Sequence, residues 1–149
     1  MPRAFKSFVA TTVPAAGGTP AVLTSSFDEN PSIVAWKPSG LFFSASQRTF
    51  SYLFRIDPES KTFTRLAPAD AWVGSSFTLS RDGSKVAFLG SDARTVPDVF
   101  VAPATLALPT GRSVPIDYSS DEPSARVRVQ DLFGTTVHPT AGGRPIVLH

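Results

Sequence analysis

The chain has 149 residues, enough for one domain with its own hydrophobic core. Hydrophobic residues make up 42% of it and charged residues 17%, which is typical of a folded protein and excludes a disordered one. The net charge of +2, without a run of Lys or Arg, argues against a nucleic-acid-binding surface, and the lack of cysteine excludes disulfides, thiolate metal sites and a cysteine nucleophile.

The first predicted strands are Phe5–Ala10 and Ala21–Thr24, joined by a turn at Gly17-Gly18. Residues 1–25 contain no basic segment followed by a long apolar core, so no signal peptide is predicted. No apolar stretch reaches the roughly 20 residues that a membrane-spanning helix needs. We therefore expect a soluble, cytoplasmic protein without a membrane partner, provided that Met1 is the native start.

The middle of the chain repeats itself. The segment Ile33–Ser44 aligns with Ser76–Leu89, and the alignment continues through the next predicted strand of each copy. The equivalent pairs, with offsets that grow from 43 to 46 residues, are Val34 and Phe77, Trp36 and Leu79, Gly40 and Gly83, Phe43 and Phe88, and Phe54 and Phe100. Each copy is predicted to consist of strand, turn, strand, loop, strand, turn and strand.

The predicted strands have the expected patterns. Apolar residues alternate with small or polar ones around Trp36 and Leu79, which indicates strands with two unlike faces. Leu41–Phe43 and Val86–Leu89 are short continuous apolar runs, as in strands covered on both faces. In each copy, the segment that joins the alternating strand to the apolar run contains a turn sequence ending in glycine, Pro38-Ser39-Gly40 or Arg81-Asp82-Gly83. Both sequences are typical of tight turns.

The last part of the chain is also predicted to be β. Ala125–Val129 alternates as a strand, a Pro- and Gly-rich stretch follows at Pro139–Gly143, and the chain ends in the apolar run Pro145–His149. No window shows a helical stripe with caps, so helix is expected to be a minor component.

A four-stranded unit that repeats every 43–46 residues is typical of a propeller blade. We predict an all-β fold, a partial β-propeller of about two to three blades with WD40-like or TolB-like repeats; a β-sandwich with similar hairpins is the alternative. Residues 1–118 would form the partial propeller, with blades at about 1–26 (incomplete), 30–68 and 72–118. The last strand of the third blade would lie near Arg112–Ile116. Propellers close with about four to eight blades, so this ring is expected to be incomplete.

The segment Phe77–Ala104, "FTLSRDGSKVAFLGSDARTVPDVFVAPA", resembles the blades of S9 (prolyl oligopeptidase family) serine peptidases, in which an S-x-D-G turn recurs. Gly40–Pro68 resembles a neighbouring blade. The final "VHPTAGGRPIVLH" is similar to the family's crossing from propeller to hydrolase domain. The resemblance implies that residues 119–149 are a linker and first strand leading toward an absent α/β-hydrolase domain.

No residue of this chain is assigned a catalytic, cofactor-binding or metal-binding role. The G-x-S-x-G nucleophile motif is missing, and the only histidines, His138 and His149, lie in a loop and at the last position. Asp28-Glu29 and Asp121-Glu122 are expected in surface loops. The Gly17-Gly18 and Gly142-Gly143 pairs are not followed by Lys-Ser/Thr, so they are predicted turns rather than phosphate-binding loops.

Aromatic residues at strand spacing are expected to pack in the core rather than to stack on a ligand. This expectation covers Trp36, Trp72, Tyr52 and the phenylalanines. The side chains most open to a functional role are charged residues of predicted loops and strand ends. They are Arg48, Arg55, Asp92, Arg94 and Asp98.

The favoured function is that of a non-catalytic propeller fragment, which would gate or position peptide substrate for a catalytic domain of an S9-type peptidase. A peptide partner is expected only in a full-length peptidase, no nucleic acid is expected, and the chain alone should not hydrolyse peptides or esters. The alternative is a short propeller-like protein-binding module that completes its ring as a homo-oligomer or with a partner. A degenerate gene fragment without function is the third hypothesis.

Overall fold

The structure, a computed structural model, describes residues 8–67, 73–120, 122–141 and 143–149. Within these ranges, the chain is almost entirely strands and turns, and one 3-10 helix at Val129–Leu132 is the only helical element. The predicted all-β class is confirmed. No helix in the described ranges is long and apolar enough to cross a membrane.

Four antiparallel strands in sequential order form the first sheet. They are β3 (Ser32–Lys37), β4 (Gly40–Gln47), β5 (Phe50–Ile56) and β6 (Phe63–Ala67). This is the strand order that the repeat predicts. A hairpin of β1 (Thr11–Thr12) and β2 (Ala21–Val22) precedes the sheet. Its turn is the predicted Gly17-Gly18 turn, but Phe8–Ala10 is not strand and residues 5–7 lie outside the described ranges.

The second sheet repeats the first with three strands. They are β7 (Val73–Leu79), β8 (Lys85–Ser91) and β9 (Asp98–Pro103). Phe43 and Phe54 pair across β4 and β5 with ring centroids 5.5 Å apart. Phe88 and Phe100 pair in the same way across β8 and β9 at 5.8 Å. The sequence repeat is therefore also a structural repeat.

The fourth strand of this second unit pairs differently from our prediction. Strand β11 (Ser113–Pro115) lies in the predicted segment, but it pairs with β10 (Thr105–Ala107) and not with β9. A short turn joins β10 to β11, in which the Leu108 amide donates to the Arg112 carbonyl at 2.8 Å. Closing this short loop costs less chain entropy than a more distant pairing, so the local hairpin forms.

The two sheets pack face to face and bury one continuous apolar cluster. The fully or nearly fully buried members of this inter-sheet cluster are Phe42, Leu53, Leu66, Ala67, Val86, Phe88 and Ala104. The opposite face of the first sheet carries a second cluster that the β1–β2 hairpin helps to cover. Its buried members are Ala10, Leu23, Leu41, Phe43, Ala45, Tyr52, Phe54 and Ile56, with Phe27 packed against them.

The remaining strands form a C-terminal unit around a third core. After β10 and β11 come β12 (Ser124–Ala125), β13 (Thr140–Ala141), β14 (Arg144–Pro145) and β15 (Val147–Leu148). The buried residues of this unit are Leu108, Val114, Ile116, Ala125, Ala141 and Ile146. Strand β15 pairs in parallel with β12. Of the predicted strand Ala125–Val129 only Ala125 is strand, and Val129 already starts the 3-10 helix.

The expectation that aromatic residues pack in the core is confirmed for Tyr52 and wrong for three others. Tyr52 is 4% exposed, whereas Trp36 is 56% exposed and Phe8 and Phe133 are each 73% exposed. Trp36 lies on β3, which is an edge strand of its sheet, so no neighbouring strand covers it on one side. Trp72 lies outside the described residues.

We expect Phe43→Ala to lower the free energy of unfolding by about 3–5 kcal/mol, because it leaves a cavity in a packed core. Phe43 is fully buried, and its ring contacts the rings of Phe27, Phe54 and Phe63. Urea unfolding followed by fluorescence measures the change. Phe133→Ala is the matched control, and it should stay within about 0.5 kcal/mol because that ring is exposed. Equal losses in both variants would contradict the described core.

Candidate functional site

The largest cleft described lies between the first sheet and the C-terminal unit and has a volume of about 830 Å³. One wall comes from the ends of β5 and β6 and the turn between them. The other wall comes from β11, β12 and the last residue. The lining residues are Arg55, Asp57, Thr62, Phe63, Thr64, Val114, Pro115, Asp117, Ser124, Ala125, Arg126 and His149.

Arg55 is fixed in the sheet wall. Its side chain is only 15% exposed, its Nε donates to the Ser39 carbonyl, and its guanidinium lies 3.8 Å from the Asp57 carboxylate. Burial lowers the pKa of Arg55, and the charge of Asp57 opposes this shift. Arg55 therefore contributes to the cleft a positive charge whose position is fixed by these contacts.

Asp57 is already engaged within its own turn. Its carboxylate accepts hydrogen bonds from the amides of Ser60 and Glu59, both at 2.9 Å. These hydrogen bonds, that of Ser60 first, lower the pKa of Asp57. On the other wall the Asp117 carboxylate accepts from the Ser119 amide at 2.8 Å. Local amides thus partly offset both negative charges of the cleft.

Arg126 is exposed in the wall formed by the C-terminal unit. The residues on either side of it are bonded through their backbones to His149. The His149 amide donates to the Ala125 carbonyl at 3.0 Å, and the Val127 amide donates to the His149 carbonyl at 2.9 Å. Arg128 follows two positions later and is exposed as well. In an extended segment, residues two apart share a side at about 6.6 Å.

Tyr118 holds the C-terminal unit against both sheets. Its hydroxyl donates to the Pro103 carbonyl at 2.8 Å, and its amide donates to the Arg65 carbonyl at 2.9 Å. The Arg65 guanidinium returns a hydrogen bond to the Tyr118 carbonyl at 2.9 Å and lies 4.4 Å from the centre of the Tyr52 ring. Burial raises the pKa of Tyr118 to about 12. These contacts anchor the segment that follows Asp117, a residue of the cleft wall.

An ion pair between an exposed arginine and a buried aspartate links two parts of the C-terminal unit. Arg112 Nη1 lies 2.6 Å from the carboxylate of Asp131, which is 6% exposed. Asp131 belongs to the 3-10 helix and Arg112 to the turn before β11. The pair therefore ties the helix to the β10–β11 hairpin.

The charged residues singled out from the sequence do not meet in one place. Arg55 alone lines the large cleft. Arg48 lies in the β4–β5 turn with a positive φ of 59° and borders a separate cleft of about 590 Å³. Asp92 caps its own loop, where the Arg94 and Thr95 amides donate to its carboxylate at 2.7 Å, and Asp98 accepts from the Val99 amide.

The other candidates also stay apart. Asp28 and Glu29 border the smaller cleft beside Arg48, and Asp121 lies outside the described residues. His138 is exposed, with Nδ1 3.0 Å from the carbonyl of the next residue. Among the described residues, no group of three or more His, Asp or Glu could hold a metal ion.

Sequence reasoning missed Arg126, Asp117 and Tyr118. The alternation of Arg and Val at 126–129 is the one signal that could have identified Arg126. The contacts of Tyr118 reach 53 residues back along the chain to Arg65, and no local pattern reveals them.

Comparison with known proteins gives one partial match. Residues 90–149, less than half of the chain, match the family model described as ATP-dependent helicase C-terminal. No curated protein and no solved structure matches the chain. The match spans β9 and the whole C-terminal unit, including the Arg126 wall of the cleft.

This match overturns the S9 peptidase assignment. The identification of the chain as part of a serine peptidase, and with it the proposed gating of peptide substrate for a hydrolase domain, is wrong. The S-x-D-G turn that suggested it has a local cause. The Asp82 carboxylate accepts from the Ser80 hydroxyl at 2.6 Å, the Ser84 amide at 3.1 Å and the Ser84 hydroxyl at 2.8 Å. Turn geometry selects these residues in unrelated proteins, so the motif carries little family information.

The same turn yields a pH prediction. Hydrogen bonds from Ser80 and then Ser84 lower the pKa of Asp82 to about 2, although the carboxyl is exposed. Because the pKa in the folded state lies below that in the unfolded chain, the stabilising effect is present above about pH 4. It is lost as the pH falls toward 2. An NMR titration of the Asp82 carboxyl should show the low value.

Ser80→Ala removes the strongest of these hydrogen bonds and should raise the pKa of Asp82 toward its ordinary range. The pKa of Asp92, which is lowered by its own loop, serves as the internal control and should not change. An Asp82 pKa that stays near 2 in this variant would refute the hydrogen-bond explanation.

Proposed function

We propose that this chain is a non-catalytic accessory part of a protein of the ATP-dependent helicase kind, and that its large cleft makes a weak contact with the phosphate backbone of a single-stranded nucleic acid. The observation that carries the proposal is the location of the family match. The matched residues 90–149 include the C-terminal unit, which presents Arg126 at the cleft and carries the exposed Arg128 two positions further along the chain.

The proposal excludes ATP hydrolysis by this chain. Nucleotide hydrolysis by helicases depends on a glycine-rich phosphate loop that ends in Lys-Ser/Thr. The glycine pair Gly17-Gly18 is followed by Thr19-Pro20, and Gly142-Gly143 is followed by Arg144-Pro145. Neither pair has the required frame. The energy source would therefore lie in another domain or another protein.

The electrostatics of the cleft supports a contact with only a few phosphates. Arg126 is exposed in the cleft wall and Arg128 lies beside the cleft, while Asp57 and Asp117 limit the positive charge of the cleft itself. Two arginines about 6.6 Å apart along an extended segment can each reach a phosphate of one flexible strand. This proposal departs from the expectation, based on the net charge alone, that no nucleic acid is bound.

For the architecture, we propose that the two stacked sheets are neighbouring blades of a partial β-propeller that ends near residue 104 and is followed by a separate segment. The repeat of 43–46 residues, the equivalent pairs of phenylalanine rings and the inter-sheet cluster support it. The common core of Leu108, Ile116 and Ile146 favours a boundary near residue 104 rather than 118. A cytoplasmic location is part of the same proposal, since nucleic acid would be accessible there.

Fluorescence anisotropy with labelled single-stranded RNA and DNA tests the nucleic-acid contact. With about two phosphates neutralised, log K should fall with log salt with a slope of about −1.4. The double variant Arg126→Ala/Arg128→Ala should abolish this salt-dependent binding. Arg94→Ala, which removes an exposed arginine of the matched segment outside the cleft, is the matched control and should bind like the wild type.

Three results would overturn the proposal. They are unchanged binding in the double variant, no binding by the wild type at low salt, and ATP hydrolysis that follows the purified chain through every chromatographic step.

A further inference from the structure

The outer edge of β9 differs from the equivalent edge of the first sheet, because no strand pairs with it in the described residues. Strand β9 corresponds to β5 of the first sheet, as the equivalence of Phe100 and Phe54 shows. Strand β5 has β4 on one side and β6 on the other. Among the described residues, β9 pairs with β8 only. In the part of the chain that the structure describes, no strand lies along its second edge.

The hydrogen-bond pattern shows which residues of β9 face that edge. The Ala104 amide donates to the Ser84 carbonyl at 2.7 Å, so the even-numbered residues point their backbone groups toward β8. In an antiparallel pair the direction alternates, and Val99 and Val101 therefore point theirs outward. The Val99 amide donates to the Asp98 carboxylate at 2.7 Å, which agrees with this direction.

The open part of the edge is short and sharply bounded. Pro97 and Pro103 have no amide hydrogen, and the Pro103 carbonyl already accepts from the Tyr118 hydroxyl. Between them Val99 and Val101 are exposed, at 66% and 65%, whereas Phe100 and Ala102 are half-buried. A bare edge with apolar side chains is a template for another strand.

We propose that β9 pairs in antiparallel fashion with β9 of a second copy of this chain, about a two-fold axis at Phe100. Val99 would then lie opposite Val101 of the second copy, and Val101 opposite its Val99. Both pairs lie at hydrogen-bonding positions, in which the Val101 amide of each copy donates to the Val99 carbonyl of the other, while the Val99 amide stays bonded to its own Asp98 carboxylate. The result is one continuous six-stranded sheet across the dimer.

The sequence of the edge favours a second copy over an unrelated strand. Residues 97–103 read Pro-Asp-Val-Phe-Val-Ala-Pro, which is nearly the same in both directions about Phe100. A two-fold interface needs a surface that complements itself, so each residue must be compatible with the residue opposite it. Asp98 falls opposite Ala102 of the second copy, so no like charges meet, and the valines of both copies join on one face.

Sedimentation equilibrium tests the dimer. The wild type should reach twice the chain mass of 15.8 kDa. Val101→Pro removes the outward amide of each copy but no hydrogen bond to β8, so the dissociation constant should rise about tenfold or more. Val101→Thr is the matched control, since it keeps the amide and the β-branched shape, and it should still form the dimer.

A cysteine pair tests the register and does not depend on whether the proline variant folds. The chain has no cysteine of its own. Residues opposite each other in a hydrogen-bonded pair have Cα atoms about 5.5 Å apart, within the range of a disulfide. An oxidised mixture of Val99→Cys and Val101→Cys chains should therefore give a cross-linked dimer in far higher yield than either variant alone.

Three outcomes would overturn this proposal. They are a wild-type monomer at every concentration, growth into assemblies larger than the dimer, and equal cross-linking of the mixed and single cysteine variants. The β9 edge does not line the cleft, so the pairing can fail while nucleic-acid binding persists, and the reverse also holds.

Discussion

Face-to-face packing of the two repeated sheets is the constraint on which the rest of the structure depends. Phe42, Leu53 and Leu66 of the first sheet meet Val86 and Phe88 of the second, and most of these side chains have no exposed surface. At roughly 25 cal/mol per Å² of apolar surface, such a cluster outweighs any single ion pair of the molecule. Within the described ranges, it leaves the second sheet with one covered face, one open face and an open edge. It also fixes the sites at which Tyr118 attaches the C-terminal unit.

The parts of the fold that depend on the pattern of short sequence segments could be predicted. Alternation and continuous apolar runs locate β3 to β9, because side-chain period and burial are properties of short segments. The self-comparison goes further, since equivalent rings at Phe43 and Phe88 occupy equivalent places. The pairing of β11 could not be predicted from the repeat, because a nearby partner competed with a distant one. The prediction that Trp36 is buried failed for a related reason. Burial depends on the position of a strand in its sheet, and β3 is an edge strand.

The candidate site was largely beyond sequence reasoning. Arg55 was singled out as a charged residue, but its neighbours across the cleft come from segments about 60 residues or more further along the chain. The serine-peptidase assignment failed because local hydrogen bonding accounts for the sequence of the Ser80–Ser84 turn. The Asp82 carboxylate accepts from hydroxyl and amide donors of this turn, and the same residue types are suited to any equally tight reversal of the chain. A motif that satisfies local backbone chemistry recurs in unrelated folds, and therefore says little about ancestry or activity.

The open edge and the cleft are connected through Tyr118. Its hydroxyl occupies the Pro103 carbonyl and so closes one end of the β9 edge, while its backbone sets the wall that carries Arg126. A dimer formed through β9 would keep both clefts accessible, because no β9 residue lines them. A strand held in one cleft would then meet the second cleft at a raised effective concentration. Two weak contacts of about two phosphates each would thus act as one stronger contact, which gives self-pairing a physical role in binding a long single strand.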